Sequence, residues 1–175
     1  MARQHGITSS TYPNMIIDSG AVYLDYGEVS EALLGATRGG NTFTVTPEVR
    51  EMEVDGARGP VVGSRRITRV DAKMTINMIE VSPEIIQLAN PGSTITDNTT
   101  YKTIARALQI ATTDHKTNIA LVGEVNGSAS VPVICTLLNP LADGGFEMTF
   151  SDKDETVIAI ELSAHFAVAD LDTEP

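Results

Sequence analysis

The chain has 175 residues, long enough for one domain to bury about 70% of the surface its unfolded form exposes and so to fold without staples. Its net charge of −11 argues against gripping nucleic acid through phosphate contacts, which require lysine and arginine to displace counterions. An acidic protein can still surround DNA. No apolar stretch approaches the roughly 20 residues of a membrane span, and Met1 is not followed by the apolar core of a signal peptide, so a protein without a membrane anchor, made in the cytoplasm, is expected.

Composition points to strands. Aromatic residues make up only 5% of the chain and Trp is absent, whereas Thr, Val and Ile, which fit a pleated and half-buried surface, are abundant. In chain order, residues 1–13 lack periodicity and read as an N-terminal arm. A short strand is expected over Gly20–Tyr26, then a helical turn over Glu28–Leu34 ended by Gly35. After the turn signal Gly39-Gly40-Asn41, Phe43, Val45 and Val49 alternate with Thr44, Thr46 and Glu48. The phase slips at Met52 and Val54, which predicts a bulge near Arg50–Glu51.

Residues 55–66 form a glycine-rich, basic loop, of a length that is usually functional or disordered. In the next strand Val70, Ala72, Met74, Ile76 and Met78 face one way, while Arg69, Asp71, Lys73, Thr75 and Asn77 face the other. Two long strands around this loop read as a hairpin with a projecting tip. A helix follows, with Ser82 as N-cap, Pro83 at its first position, Glu84 complementing the dipole, and a packing face of Ile85, Ile86, Leu88 and Ala89. Pro91-Gly92 ends it.

Residues 93–103 read as polar loop, and Ile104–Ala111 fits a helix or a strand. Asn118–Val125 and Val131–Leu138 read as strands joined by an Asn126-Gly127 turn, apolar enough to be covered on both faces. Another turn at Asp143-Gly144-Gly145 leads into a strand at Phe146–Phe150. The charged run Asp152-Lys153-Asp154-Glu155 precedes a last strand, in which Ile158, Ile160, Leu162, Ala164, Phe166 and Val168 alternate with the remainder. Residues 14–169 thus form one β domain, and 170–175 an acidic tail.

Catalytic signatures are scarce. His5, His115 and His165 have no metal-ligand spacing, and Cys135, in an apolar run without a nearby cysteine, reads as a buried reduced thiol. The Gly-x-Ser-x-Gly elbow is absent, and Gly35-x-x-x-Gly39-Gly40 lacks the Lys-Ser/Thr of a phosphate loop. Glu51 and Glu53 share one side of a strand, which could serve acid–base chemistry but is far more often a solvated face. A non-enzymatic protein without catalytic, cofactor-binding or metal residues is the expectation. Charge, by contrast, is patterned. Residues 1–117 hold 11 basic and 13 acidic side chains, a net of −2, whereas 118–175 hold 1 and 10, a net of −9. Arg58, Arg65, Arg66 and Arg69 cluster, either as a solvated loop or as one of two complementary surfaces that meet between molecules.

The runs Asn14-Met-Ile-Ile-Asp-Ser-Gly-Ala-Val-Tyr, Leu34-Gly-Ala-Thr-Arg-Gly-Gly-Asn-Thr-Phe, and Glu48-Val-Arg-Glu-Met-Glu-Val-Asp-Gly-Ala-Arg-Gly-Pro-Val-Val-Gly are joined by Met74-Thr-Ile-Asn-Met-Ile-Glu-Val. Together with Asn118-Ile-Ala-Leu-Val-Gly-Glu and Asp152-Lys-Asp-Glu, they resemble the major tail tube protein of long-tailed (siphophage-type) bacteriophages and prophages. The resemblance covers nearly all of the chain beyond residue 13. It implies a mainly β subunit, a β-sandwich or half-barrel with one packed helix and a long projecting hairpin loop, sharing a β-barrel in a hexameric ring.

Rings of this family stack into a tube through which DNA leaves the capsid. By this resemblance the chain is expected in the virion tail, with itself, the tape measure, terminator and distal tail proteins as partners. Double-stranded DNA would pass through the lumen without specific binding, eased by a wall of carboxylates. Asp55, Gly56, Arg58, Gly59, Arg65 and Arg66 match the loop that engages the neighbouring ring. Tubes of contractile tails and of type VI secretion share this plan and remain alternatives. A ligand-binding β-sandwich is another, but stacking on sugars calls for surface aromatics and the chain offers no Trp and four Tyr.

Overall fold

A computed structural model of the chain describes residues 7–16, 20–56, 58–125, 128–150 and 152–167, with backbone alone for 128–131. The Asn126-Gly127 turn, Val168, the first six residues of the expected arm and the 170–175 tail lie outside the described residues. In chain order the elements are β1 (Ala21–Leu24), β2 (Ala32–Leu33), β3 (Thr42–Glu51), β4 (Arg65–Met78) and α1 (Pro83–Ala89). They continue with β5 (Ser93–Asn98), β6 (Tyr101–Arg106), a 3-10 turn at Thr112–Asp114, β7 (Asn118–Val125), β8 (Ser128–Leu138), β9 (Leu141–Ala142) and β10 (Ile158–Ser163).

The strands make three sheets, ordered β2-β1-β7-β8, β3-β4-β10-β9 and β5-β6. Every pairing within them is antiparallel. The two larger sheets bury apolar side chains in one cluster, as in a β-sandwich. Val22, Ile119 and Leu137 come from the first sheet; Met74, Ile76, Met78, Ile158, Ile160 and Leu162 come from the second. Strict alternation explains the second set, because Ile158, Ile160 and Leu162 are buried while Ala159 and Glu161 between them are exposed. Residues just past β10 tie the sheets together. The backbone N–H of Ala164 donates to Ala72 O (3.0 Å), and that of His165 donates to Leu138 O (3.2 Å).

The helix is as short as its signals allow. Ser82 Oγ accepts the N–H of Ile85 (3.2 Å), Pro83 occupies the first turn, and Ile85, Leu88 and Ala89 enter the core, with Ile86 half-buried. Gly92 then takes a left-handed φ of 75°, with Gln109 O only 2.9 Å from where a Cβ would stand, so glycine is required there.

The chain departs from expectation in several places. Residues 93–103 are not loop: β5 and β6 form a hairpin closed at Asn98↔Tyr101, with Ile95 opposite Ile104. That settles Ile104 as strand, and β6 ends at Arg106. Glu28–Leu34 holds turns and the two-residue β2 in place of a helical turn. Phe146–Phe150 is not a strand: Phe146 and Met148 pack on the core, while Phe150 is exposed. The last strand stops at Ser163, where the chain leaves to bridge the sheets. β8 lies at a sheet edge with Val133, Ile134 and Leu138 exposed, so it is not covered on both faces, and Cys135 on it is only half-buried.

The expected register slip exists but sits elsewhere. Glu48 pairs with Arg69 and Val49 with Ile67, leaving Thr68 of β4 unpaired as the extra residue, its hydroxyl donating to Glu48 O (3.2 Å). Met52 and Val54 lie beyond the end of β3.

Replacing fully buried Ile160 by Ala is expected to cost about 2–5 kcal/mol in urea unfolding. Ile67→Ala, far along the same apolar face but exposed, is expected to stay within about 0.5 kcal/mol in the dispersed chain. Equal losses at both positions would show that the core extends along the whole of β4.

Candidate functional site

Only part of β4 is roofed by the sandwich. β10 pairs with residues 73–78, whereas β3 pairs with 65–75. Residues 65–71 therefore belong to a two-stranded ribbon, Ala72 being bonded by Ala164 just past β10. Along its apolar face, exposure rises from 0% at Met74 to 56% at Ile67. Val45 and Val49, paired with Ala72 and Ile67, are about half exposed, and Met52, Val54, Val61 and Val62 beyond them are exposed. The Thr68 bulge maintains this stripe. Inward positions on β4 are even-numbered up to Val70, and the extra residue brings odd-numbered Ile67 to the same face, opposite Val49.

The connection 52–64 begins with the N–H of Met52 donating to Ser64 O (2.8 Å). Asp55 and Gly56 form a turn, with Gly56 at a left-handed φ of 90°, and Arg58 and Gly59 lie in bends beyond it. All four are exposed. Arg65 and Arg66 are not loop residues but the first two of β4. Arg65 Nε reaches Glu51 Oε2 at 3.5 Å across the ribbon, and Arg69 Nη2 holds Asp71 Oδ1 at 2.7 Å on its own strand. The Glu51–Glu53 pair is thereby divided, with one carboxylate bound to arginine and the other past the strand end.

Arg66 is paired in register with Arg50, on the polar face. No carboxylate among the described residues forms an ion pair with either. Like charges directly opposite on one face of an antiparallel pair are destabilising. The two guanidiniums line an open cleft of about 960 Å3, along with Glu51, Met52, Glu53, Ile67 and Thr68. The ribbon thus carries Arg50 and Arg66 on one face and uncovered aliphatic side chains on the other, with the Glu51–Arg65 ion pair at the end of the aliphatic face.

The opposite end of the sheet is tied differently. Arg38 binds Glu155 in an ion pair, joining residues 36–38, which run beside Asn77–Ile79, to the segment before β10. The Glu155 carboxyl lies below the ordinary glutamate range, chiefly through a hydrogen bond from its own backbone N–H and secondly through the Arg38 charge.

One association was invisible in the sequence. His115 and His165, 50 positions apart, meet edge to face with ring centroids 5.0 Å apart. Each Nδ1 lies against a carbonyl oxygen, that of Asn139 (3.3 Å) and that of Ser163 (3.1 Å). Spacing carries no signal for such a pair, because it depends on the chain crossing between sheets. Among the described residues no group of three or more His, Cys, Asp or Glu could hold a metal ion, and no helix is long and apolar enough to cross a membrane. No protein-family model matches the chain, and no match is found among curated proteins.

Arg38→Gln is expected to raise the Glu155 pKa toward the ordinary value without reaching it, because the larger cause, the backbone hydrogen bond, remains. The sign follows from the lowered folded-state pKa: the stabilisation is present above the unfolded-state value and is lost as pH falls through the folded one. An NMR titration of the Glu155 side chain reads the shift, and an unchanged midpoint would dismiss the Arg38 contribution.

Proposed function

We propose that this chain is a structural subunit of a phage tail tube, assembling with copies of itself into hexameric rings that stack into the conduit for DNA ejection. The observation that carries this reading is the uncovered apolar stripe of the β3–β4 ribbon, Val45 and Val49 on one strand and Ile67 on the other, with Met52 exposed just beyond the end of β3. Contiguous exposed apolar surface of this kind marks contact with another molecule. Sheet edges add to it. β3 runs ten residues along an edge interrupted only by Pro47, and β9 covers only Leu162 and Ser163 of the far edge of β10. Such edges template association unless they are covered or blunted.

In this reading neighbouring subunits complete those edges and close a shared β-barrel. The core face then points outward to each subunit's own sandwich, and the polar face of β3, β4 and β10 lines the lumen. That face carries Glu48, Asp71 and Glu161 against Arg50, Arg66, Arg69 and Lys73, interspersed with Thr42, Thr44, Thr46 and Thr75. A wall of three carboxylates and four cations is nearly neutral. It lets DNA pass through interspersed hydrated groups, a different means from the uniformly acidic lining that a net charge of −11 suggests.

Asp55, Gly56, Arg58 and Gly59 of the projecting connection, with Arg65 and Arg66 at its base, serve in ring stacking. The tape measure, terminator and distal tail proteins are the partners at the tube's core and ends, and the virion tail is its location.

Size-exclusion chromatography and negative-stain microscopy of the purified protein are expected to find rings or tubes. A monomer that stays dispersed at high concentration would end the proposal. Val49→Asp and Ile67→Asp place a charge in the stripe and are expected to block assembly while leaving the melting curve of the dispersed subunit nearly unchanged.

A further inference from the structure

The β3–β4–β10 sheet is polar along its length, because its antiparallel register sends unlike charges to opposite ends. Glu51↔Arg65 marks one end of β4 and Met78↔Ile158 the other, roughly 44 Å apart at the rise of an antiparallel strand. Residues 50–69, at the first end, hold five arginines and three carboxylates, a net of +2. Arg65 and Arg69 are engaged within the chain, which leaves Arg58 in the connection and the cross-strand pair Arg50 and Arg66 exposed and without a carboxylate among the described residues.

At the second end, Glu80 follows β4, and Asp152, Asp154 and Glu155 precede β10. With Lys153 and Arg38 the group holds four carboxylates and two cations, a net of −2. Arg38 occupies Glu155, and Asp152 and Asp154 are exposed with no ion pair among the described residues.

From this geometry we infer that the Arg50–Arg66 pair of one copy docks on the Asp152/Asp154 segment of the next, head to tail along the strand direction. The inference rests on the tube-subunit reading and assigns the residues and polarity of its axial contact. A patch at one end of a subunit that fits a different patch at the other end makes a heterologous contact. Repetition of that contact along the strands yields an open filament and not a closed dimer. The carboxylates offset the cross-strand repulsion that Arg50 and Arg66 carry in the single chain, and facing potentials of opposite sign fix which end meets which.

Four proteins test this: the wild type, R50E/R66E, D152K/D154K, and the chain carrying all four changes. The substituted side chains are exposed, and each protein is first shown to be folded by circular dichroism and thermal melting. Sedimentation velocity and microscopy then follow axial assembly at low ionic strength and at about 1 M salt, where the Debye length is roughly 3 Å.

Each two-residue reversal is expected to raise the concentration needed for stacking by about tenfold or more at low salt, because like charges then face each other. High salt narrows the difference. Mixing the two reversed proteins, or combining all four changes in one chain, restores stacking because every end again meets its opposite. If both reversals stack like the wild type at low salt, or if neither the mixture nor the four-fold variant recovers, the charge pairing is wrong while the tube reading stands. A wild type that never forms rings or tubes overturns both.

Discussion

The single constraint on which this molecule depends is that β4 serves two partners of unequal length. Its 14 residues pair with β3 over 65–75 and with β10 only over 73–78. Where β10 is present, Met74, Ile76 and Met78 are sealed in the core cluster with the facing sheet and α1. Where β10 ends, the same alternation continues but the cover thins out: Ala72 still packs on the core beside Ala164, whereas Ile67 is exposed. A two-stranded ribbon on its own is marginal in water, so the distal half of β4 is held by the pairing with β3 and by continuity with the core. The fold thus has a sealed base and an uncovered extension within one strand.

The readable parts of the sequence were those whose signal is local and repeated. Ile158, Ile160 and Leu162 alternate without interruption, Asn118–Val125 coincides with β7, and Ser82-Pro83-Glu84 opens the helix. The failures have physical causes. The β5–β6 hairpin turns through Thr99-Thr100, which carries none of the Gly, Asn or Asp signals of a two-residue turn, so the segment read as polar loop. Phe146, Met148 and Phe150 have the alternation of a strand, but the segment runs beside the open edge of β10 without pairing to it, and Phe146 and Met148 pack on the core. The chain's exit from β10 after Ser163, to bond Ala72 and Leu138, is a tertiary event that no local pattern announces.

The candidate surface was legible in its position and not in its pairing. Length, glycine content and basic charge drew attention to residues 55–66. They could not show that Arg65 is spoken for by Glu51 and Arg69 by Asp71, nor that Arg50, outside the cluster, stands opposite Arg66. Cross-strand neighbours are set by register, and register here was shifted by one residue that composition does not reveal.

That residue, Thr68, acts as a phase setter for the entire outer ribbon. If Thr68 were instead drawn into the ladder, plain two-residue alternation would run through it and everything distal would rotate by half a turn, sending Ile67 to the charged side and Arg66 to the greasy one. A one-residue insertion inside the ribbon is thus tolerable only where a bulge takes up the extra residue, whereas insertions or deletions within the turn-bearing segment between Met52 and Ser64 leave the stripe intact. Grafted peptides belong in that segment, and the strands flanking it have to keep their parity.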